Sequence, residues 1–284
     1  MGIKKMTFFV RFLSLNVLFL SMFICRVIAE DVDSSFKEKD FSVVSPRNSL
    51  VIRHEETSES NWFVNLEGKT AYFSRNKPMQ NAYLLESDLP FSIPNDSEIK
   101  TTPQDKIIFP VSDGYLVALK GGLFEASLWW FSKDGNKKER IGYNRPHEPF
   151  SFVNGFFTSH DQIFVLYGSD FVRSGGIYKI YRNTENVWQV SDIYLFDTSA
   201  STNYFKIDDD NFLILTNRKV VSFSPVNGGY TLWEVMRNGG DFSCEGNSIV
   251  RDSRGRIFIG GKNRVIRLTP QKSGLKEEWL IPNK

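Results

Sequence analysis

The residues best equipped for chemistry lie in "GYNRPHEPFSFVNGFF", 142–157. Tyr143, Arg145, His147, Glu148 and Phe150 gather a base, an acid, a guanidinium and two aromatic rings, with Pro146 and Pro149 stiffening the backbone between them. A His beside a carboxylate could shuttle a proton, but neighbouring residues of an extended chain point to opposite sides. Arginine with aromatics is instead the composition enriched at the centres of partner interfaces. The stretch therefore reads either as a recognition segment or as an ordinary connection between strands. Two further strand connections read the same way: 170–173, which ends in Arg173, and "DTSASTNY" (197–204), which holds Asn203.

Other chemistries are poorly furnished. His54, His147 and His160 sit in separate segments with no i, i+4 or zinc-finger spacing. Asp208-Asp209-Asp210 lacks the alternating acids and the distal Glu of a calcium loop and reads as an inter-strand turn. The Gly pairs at 121–122, 175–176, 228–229, 239–240 and 260–261 suit hairpins, and none belongs to a phosphate-binding loop. There is no Gly-x-Ser-x-Gly nucleophile elbow. Trp129-Trp130 reads as packing more than as a sugar platform.

The elements that must position these residues follow from the rest of the chain. "MGIKKMTFFVRFLSLNVLFLSMFICRVIAED" has a basic start, an apolar run and a small-residue cleavage site at Ala29, which is the build of a secretory signal. The apolar run is short for a membrane span and is flanked by Arg11 and Arg26. The expected organisation is a signal at 1–29, a flexible leader at 30–39 and one domain over 40–284, placed in the periplasm or outside the cell. The signal carries Lys4, Lys5, Arg11 and Arg26 and no acid. Of 35 basic and 33 acidic residues the remainder keeps 31 and 33. That balance, about −2, removes the electrostatic case for nucleic acid. Cys25 leaves with the signal and Cys244 remains alone, so no internal disulfide is expected.

With 25 Phe and 10 Tyr against six Ala, the composition favours strands over helices. Apolar triplets recur at Trp62-Phe63-Val64, Tyr115-Leu116-Val117, Ile163-Phe164-Val165, Phe212-Leu213-Ile214 and Ile257-Phe258-Ile259. Their first members are 53, 48, 49 and 45 residues apart. Most of them follow a polar turn, and each has neighbours that complete a four-stranded meander. Such a period is that of a β-propeller blade. A blade lies between two others, so its middle strands are apolar on both faces rather than alternating. The expected fold is an all-β propeller of four-stranded blades. Five blades are favoured, and six if 86–105 hides strands instead of forming a long loop. A pair of β-sandwiches would lack the period. The stretch 40–46 is expected to supply a strand that closes the ring against the C-terminal unit.

The last unit, "DSRGRIFIGGKNRVIRLTP" (252–270), resembles the repeats of sensor-regulator ectodomains and of lactonase-like propellers. Both carry an Asp-x-x-Gly turn, an aromatic or aliphatic run into Ile-Gly, and a closing Leu-x-Pro. The lactonase-like resemblance implies a divalent metal at the central axis. Its candidate ligands here are Glu245, Asn247 and Asp208, with Ca²⁺ as the cofactor suited to oxygen donors and ester hydrolysis as the activity. No equivalent Glu or Asn completes that set in the other units; Asn154 is the nearest. The favoured reading is a non-enzymatic, cofactor-free monomer that binds a protein or glycan through rim loops, without nucleic acid or stable membrane insertion. An inhibitor or immunity protein and an envelope-complex subunit both fit it.

Overall fold

The computed structural model describes residues 35–45, 61–75, 83–95, 99, 106–119, 126–142, 153–169, 174–196, 201–226, 229–237 and 246–283. Its regular structure is β, apart from single 3-10 turns at Glu38–Asp40 and Glu86–Asp88. Five antiparallel sheets are formed by the described residues. Sheet I pairs β2 (Phe63–Glu67) with β3 (Thr70–Ser74). Sheet II is a meander of β4 (Lys106–Val111), β5 (Gly114–Leu119), β6 (Ser127–Ser132) and β7 (Lys138–Ile141). Sheet III contains β8 (Val153–Ser159), β9 (Gln162–Ser169), β10 (Ser174–Arg182) and β11 (Trp188–Phe196). Sheet IV contains β12 (Ser201–Lys206), β13 (Phe212–Thr216), β14 (Lys219–Val226) and β15 (Gly229–Arg237). Sheet V runs through β16 (Ser248–Arg251), β17 (Ile257–Gly261), β18 (Arg264–Gln271) and β19 (Gly274–Pro282), and takes β1 (Phe41–Val44) as a fifth strand against β19.

Sheets II to V each hold the four-stranded meander expected around their apolar triplet. The pairing of β1 with β19, Phe41 opposite Pro282 through Val44 opposite Trp279, is the strand expected from 40–46 against the C-terminal unit. The described part of the first unit holds two strands, and the rest of that unit lies outside the described residues. One feature differs from expectation: the 30–39 leader is docked from Phe36 onward. The Phe36 and Phe73 backbones exchange N–H···O bonds of 2.9 and 2.8 Å, and the Glu38 carboxylate accepts from Arg256, at 2.9 Å, and from Arg267. Burial pushes the neighbouring Glu278 carboxyl up. Hydrogen bonds and charge from Lys276 and Arg267 outweigh that and hold it below the ordinary carboxylate range.

The packing accounts for the continuous apolar triplets. Side chains alternate across a strand, and each face of sheets III, IV and V meets a different neighbouring sheet. Leu116 joins Phe156 and Val165 between sheets II and III. Phe164 and Leu166 turn the other way and join Phe212, Ile214 and Phe223 between III and IV. Leu213 faces Ile257 and Ile259 between IV and V. Phe258 faces Val64 and Phe73 between V and I. Phe164, Phe212 and Phe258 are at most 2% exposed, and each contributes roughly 1.5–3 kcal/mol by leaving water. The second face of sheet II is covered by residues 83–95 and 99. No strand is described over 86–95, as expected, but Leu89, Ile93 and Ile99 are buried against Val117, Trp129 and Phe131, and Leu84 bridges Ile108.

Candidate functional site

Contacts between sheets fix how their ends are oriented. The β4–β5 turn meets the end of β10 through Asp113–Arg182, 2.6 Å. The β8–β9 turn meets the β12–β13 turn through His160–Asp210 and through Ser159 Oγ donating to the Asp209 carbonyl, 2.6 Å. The Ser253 N–H of the β16–β17 turn donates to the Lys69 carbonyl of the β2–β3 turn, 3.2 Å. At the opposite end, the Asn203 side chain at the start of β12 donates to the Asn247 carbonyl before β16, 2.8 Å. The five sheets therefore point the same way. One end carries short hairpin turns held by inter-sheet bonds. The strands β7, β9, β11 and β15 all finish at the other end, where the links to the next strands begin.

That polarity sorts the sequence candidates. Asn203 and Asn247 come together, with Asn203 Oδ1 accepting from the Tyr204 N–H, 2.7 Å, and Asn247 Oδ1 accepting from Ser248 Oγ, 2.8 Å. Asp208 does not join them. It lies five residues along, roughly 16 Å at strand rise, at the hairpin end. There its carboxylate accepts from the Asp210 N–H, 2.9 Å, and from the Asn211 amide, 2.8 Å. Asn247 and Asp208 are thus split: Asn247 lies beside the start of β12 and Asp208 beyond its far end, too far apart to share an ion. Tyr143, Arg145, His147, Glu148, Phe150, Arg173 and Glu245 lie outside the described residues. Trp129 is buried under residues 83–95 and 99. Trp130 stacks with the Arg182 guanidinium, 4.6 Å from its ring, and its Nε1 donates to Asp113.

The sequence reading missed a tyrosine pair deep between the sheets. The Phe156 N–H on β8 donates to the Tyr83 hydroxyl, 2.9 Å, and the Tyr204 hydroxyl donates to the Phe156 carbonyl, 2.8 Å. The edge strand of sheet III thus has these backbone groups satisfied by side chains from either side. Gly155 makes room, since a Cβ there would stand 2.7 Å from the Tyr83 hydroxyl and 3.4 Å from the Tyr204 ring. Burial raises both phenols above their ordinary range, so they stay protonated donors in neutral solution. Removing the Tyr204 hydroxyl leaves the Phe156 carbonyl with only a long contact, 3.4 Å, from the Tyr83 hydroxyl. Tyr204→Phe is expected to cost about 1–3 kcal/mol, read as a lower thermal midpoint with an unchanged far-ultraviolet spectrum.

At the hairpin end, the hydrogen bond to Asp210 and its charge raise the His160 imidazole above its ordinary value. A base whose folded value is raised stabilises the protein fully below its unfolded value. It loses that contribution as pH rises through the folded one. Nuclear magnetic resonance should find His160 titrating above the model-peptide range of about 6.5. In Asp210→Asn it should fall back toward that range; identical titration in both proteins would contradict the contact.

No family model matches the chain, and no curated protein does. Among solved structures, the extracellular domain of BT4673 from B. thetaiotaomicron matches twice, described once as a one-component system and once as a hybrid two-component system. Each match has 11% identity and a TM-score of 0.40 over 84% of this chain. This chain spans about a third of their length, 35% and 34%.

Proposed function

We propose that the chain is an exported β-propeller of five blades that binds a protein or glycan partner through the loops of one rim. Sheets I to V are the blades in ring order, with sheet I adjoining sheet II to close the circle. The observation that carries the reading is the shared polarity of the sheets. Tight turns bonded to one another occupy one end, while the links at 143–152, 170–173, 197–200 and 238–245 start and finish at the other. A rigid scaffold that gathers its connections at one end is the usual base for recognition. The metal-dependent esterase alternative needs Glu245 and Asn247 to find a third ligand other than Asp208.

Site-specific photocrosslinking tests the rim. A crosslinker at Arg145 or Arg173 should capture one defined partner from an envelope extract, whereas one at Glu185, on the hairpin end, should not. Arg145→Ala with His147→Ala should abolish recovery of that partner. Equal capture from both ends, or unchanged recovery by the double variant, would remove the rim from consideration.

A further inference from the structure

The hairpin joining β6 to β7 carries an organised positive surface that the rim reading does not use. Lys133, Lys137, Lys138 and Arg140 are all exposed within eight residues. The two acids of the same stretch are committed elsewhere. Asp134 closes the turn by accepting from Ser132 Oγ, 2.6 Å, the Asn136 N–H, 3.1 Å, and the Asn136 amide, 2.7 Å. Those bonds hold its carboxyl down at about 2. Glu139 turns to the opposite face of β7, accepting from the Trp188 N–H, 2.8 Å, and pairing with Arg182. The turn is also braced from outside: Gly135 adopts φ +73° and packs against the Phe91 ring, leaving no room for a Cβ. Lys138 lies over the Trp129 ring at 5.5 Å.

We infer that this hairpin binds an anionic polysaccharide, through carboxylate or sulfate groups on the chain. Three observations select that class. The positive groups sit on a turn already fixed by its own hydrogen bonds, which lowers the ordering cost of a weak multipoint contact. No large apolar side chain of β6, β7 or their turn is exposed among the described residues. A folded protein partner usually needs such an anchor at the interface core, and a membrane surface needs one for insertion. No aromatic of β6, β7 or their turn is exposed to offer a stacking platform for nucleic-acid bases, Trp129 being buried. What is left is charge on a rigid strip, which suits a polyanion.

Affinity electrophoresis of the full chain on polygalacturonate and on dextran sulfate, with neutral dextran as control, tests this and separates carboxylate from sulfate recognition. Retardation is expected on at least one polyanion and absent on dextran, weakening about tenfold or more as salt rises from about 50 to about 300 mM. Lys133→Gln with Lys137→Gln and Arg140→Gln should weaken binding about tenfold or more at an unchanged thermal midpoint. Arg145→Ala with His147→Ala should leave it unaltered, which keeps this surface distinguishable from the rim. No retardation of the wild type, equal retardation of the triple variant, or stronger binding to anionic phospholipid vesicles than to either polysaccharide would overturn the assignment.

Discussion

Phe258→Asp is expected to yield no folded protein. Phe258 is fully buried in an interior strand of sheet V, packed between Val64, Phe73 and Val265, with its ring 5.7 Å from that of Phe73 and the Arg256 guanidinium 5.1 Å over its face. An aspartate there must leave water among apolar neighbours, and the Arg256 guanidinium is already bonded to Asp252 and Glu38, so burial costs several kcal/mol on top of the lost packing. Total stabilities of single domains are about 5–15 kcal/mol, so one such change is a large share of the whole. Phe258→Ala isolates the packing component at about 3–5 kcal/mol and should remain foldable. The expected outcome is inclusion bodies or a molten spectrum for the aspartate, and a cooperative but lower thermal midpoint for the alanine. A soluble aspartate variant melting with the wild type would place Phe258 at a surface.

The second large effect is expected at the junction of the chain's two ends. Phe41 is 5% exposed and meets Trp62 and Phe73 edge-on, each 5.0 Å away, while β1 covers the outer edge of β19. Phe41→Ala should cost about 3–5 kcal/mol, which for a domain of this size lowers the melting temperature by roughly 6–20 °C. An undocked β1 also bares the β19 edge, so concentration-dependent aggregation should accompany the loss. Calorimetry showing a shift within about 2 °C, well under that range, would mean that the N-terminal strand is not part of the cooperative unit. The docking has an acid-sensitive component beside it. Glu278 is held below its unfolded value, so its contribution is present above the unfolded carboxylate range and fades as pH falls through the folded value.

Much of the fold was legible because its repeat is a repeat of burial. Ile257-Phe258-Ile259 and its equivalents are apolar on both sides, and the structure gives each side its own neighbour, so one triplet reports two interfaces. The Asp252 of the Asp-x-x-Gly turn was visible as a motif, and its carboxylate does close that turn by accepting from the Arg254 and Arg256 N–H groups, each 2.9 Å. What was hidden depends on contacts between distant residues. Tyr83 and Tyr204 meet at Phe156 across 121 positions of chain, and neither carries a local signal of that role. Glu38 looked like part of a charged leader because its partners Arg256 and Arg267 lie more than two hundred residues on. Asp208 was grouped with Asn247 by residue type, yet β12 carries Asp208 to the end opposite the one where Asn203 meets Asn247. Residue type nominates ligands, but topology decides which of them can meet.

Closure of the ring between sheets I and II is the feature on which the five-bladed reading depends, and one distance measures it. With Cys244 replaced by serine, spin labels at Lys69 and Ser112 mark the hairpin-end turns of the two sheets, and pulsed electron resonance reads their separation. Neighbouring sheets pack about 10 Å apart, so a closed ring places the labels roughly 15–25 Å apart with a single narrow distribution. A separation beyond roughly 35 Å, more than three such packing layers, would mean an open arc of sheets and would contradict the propeller.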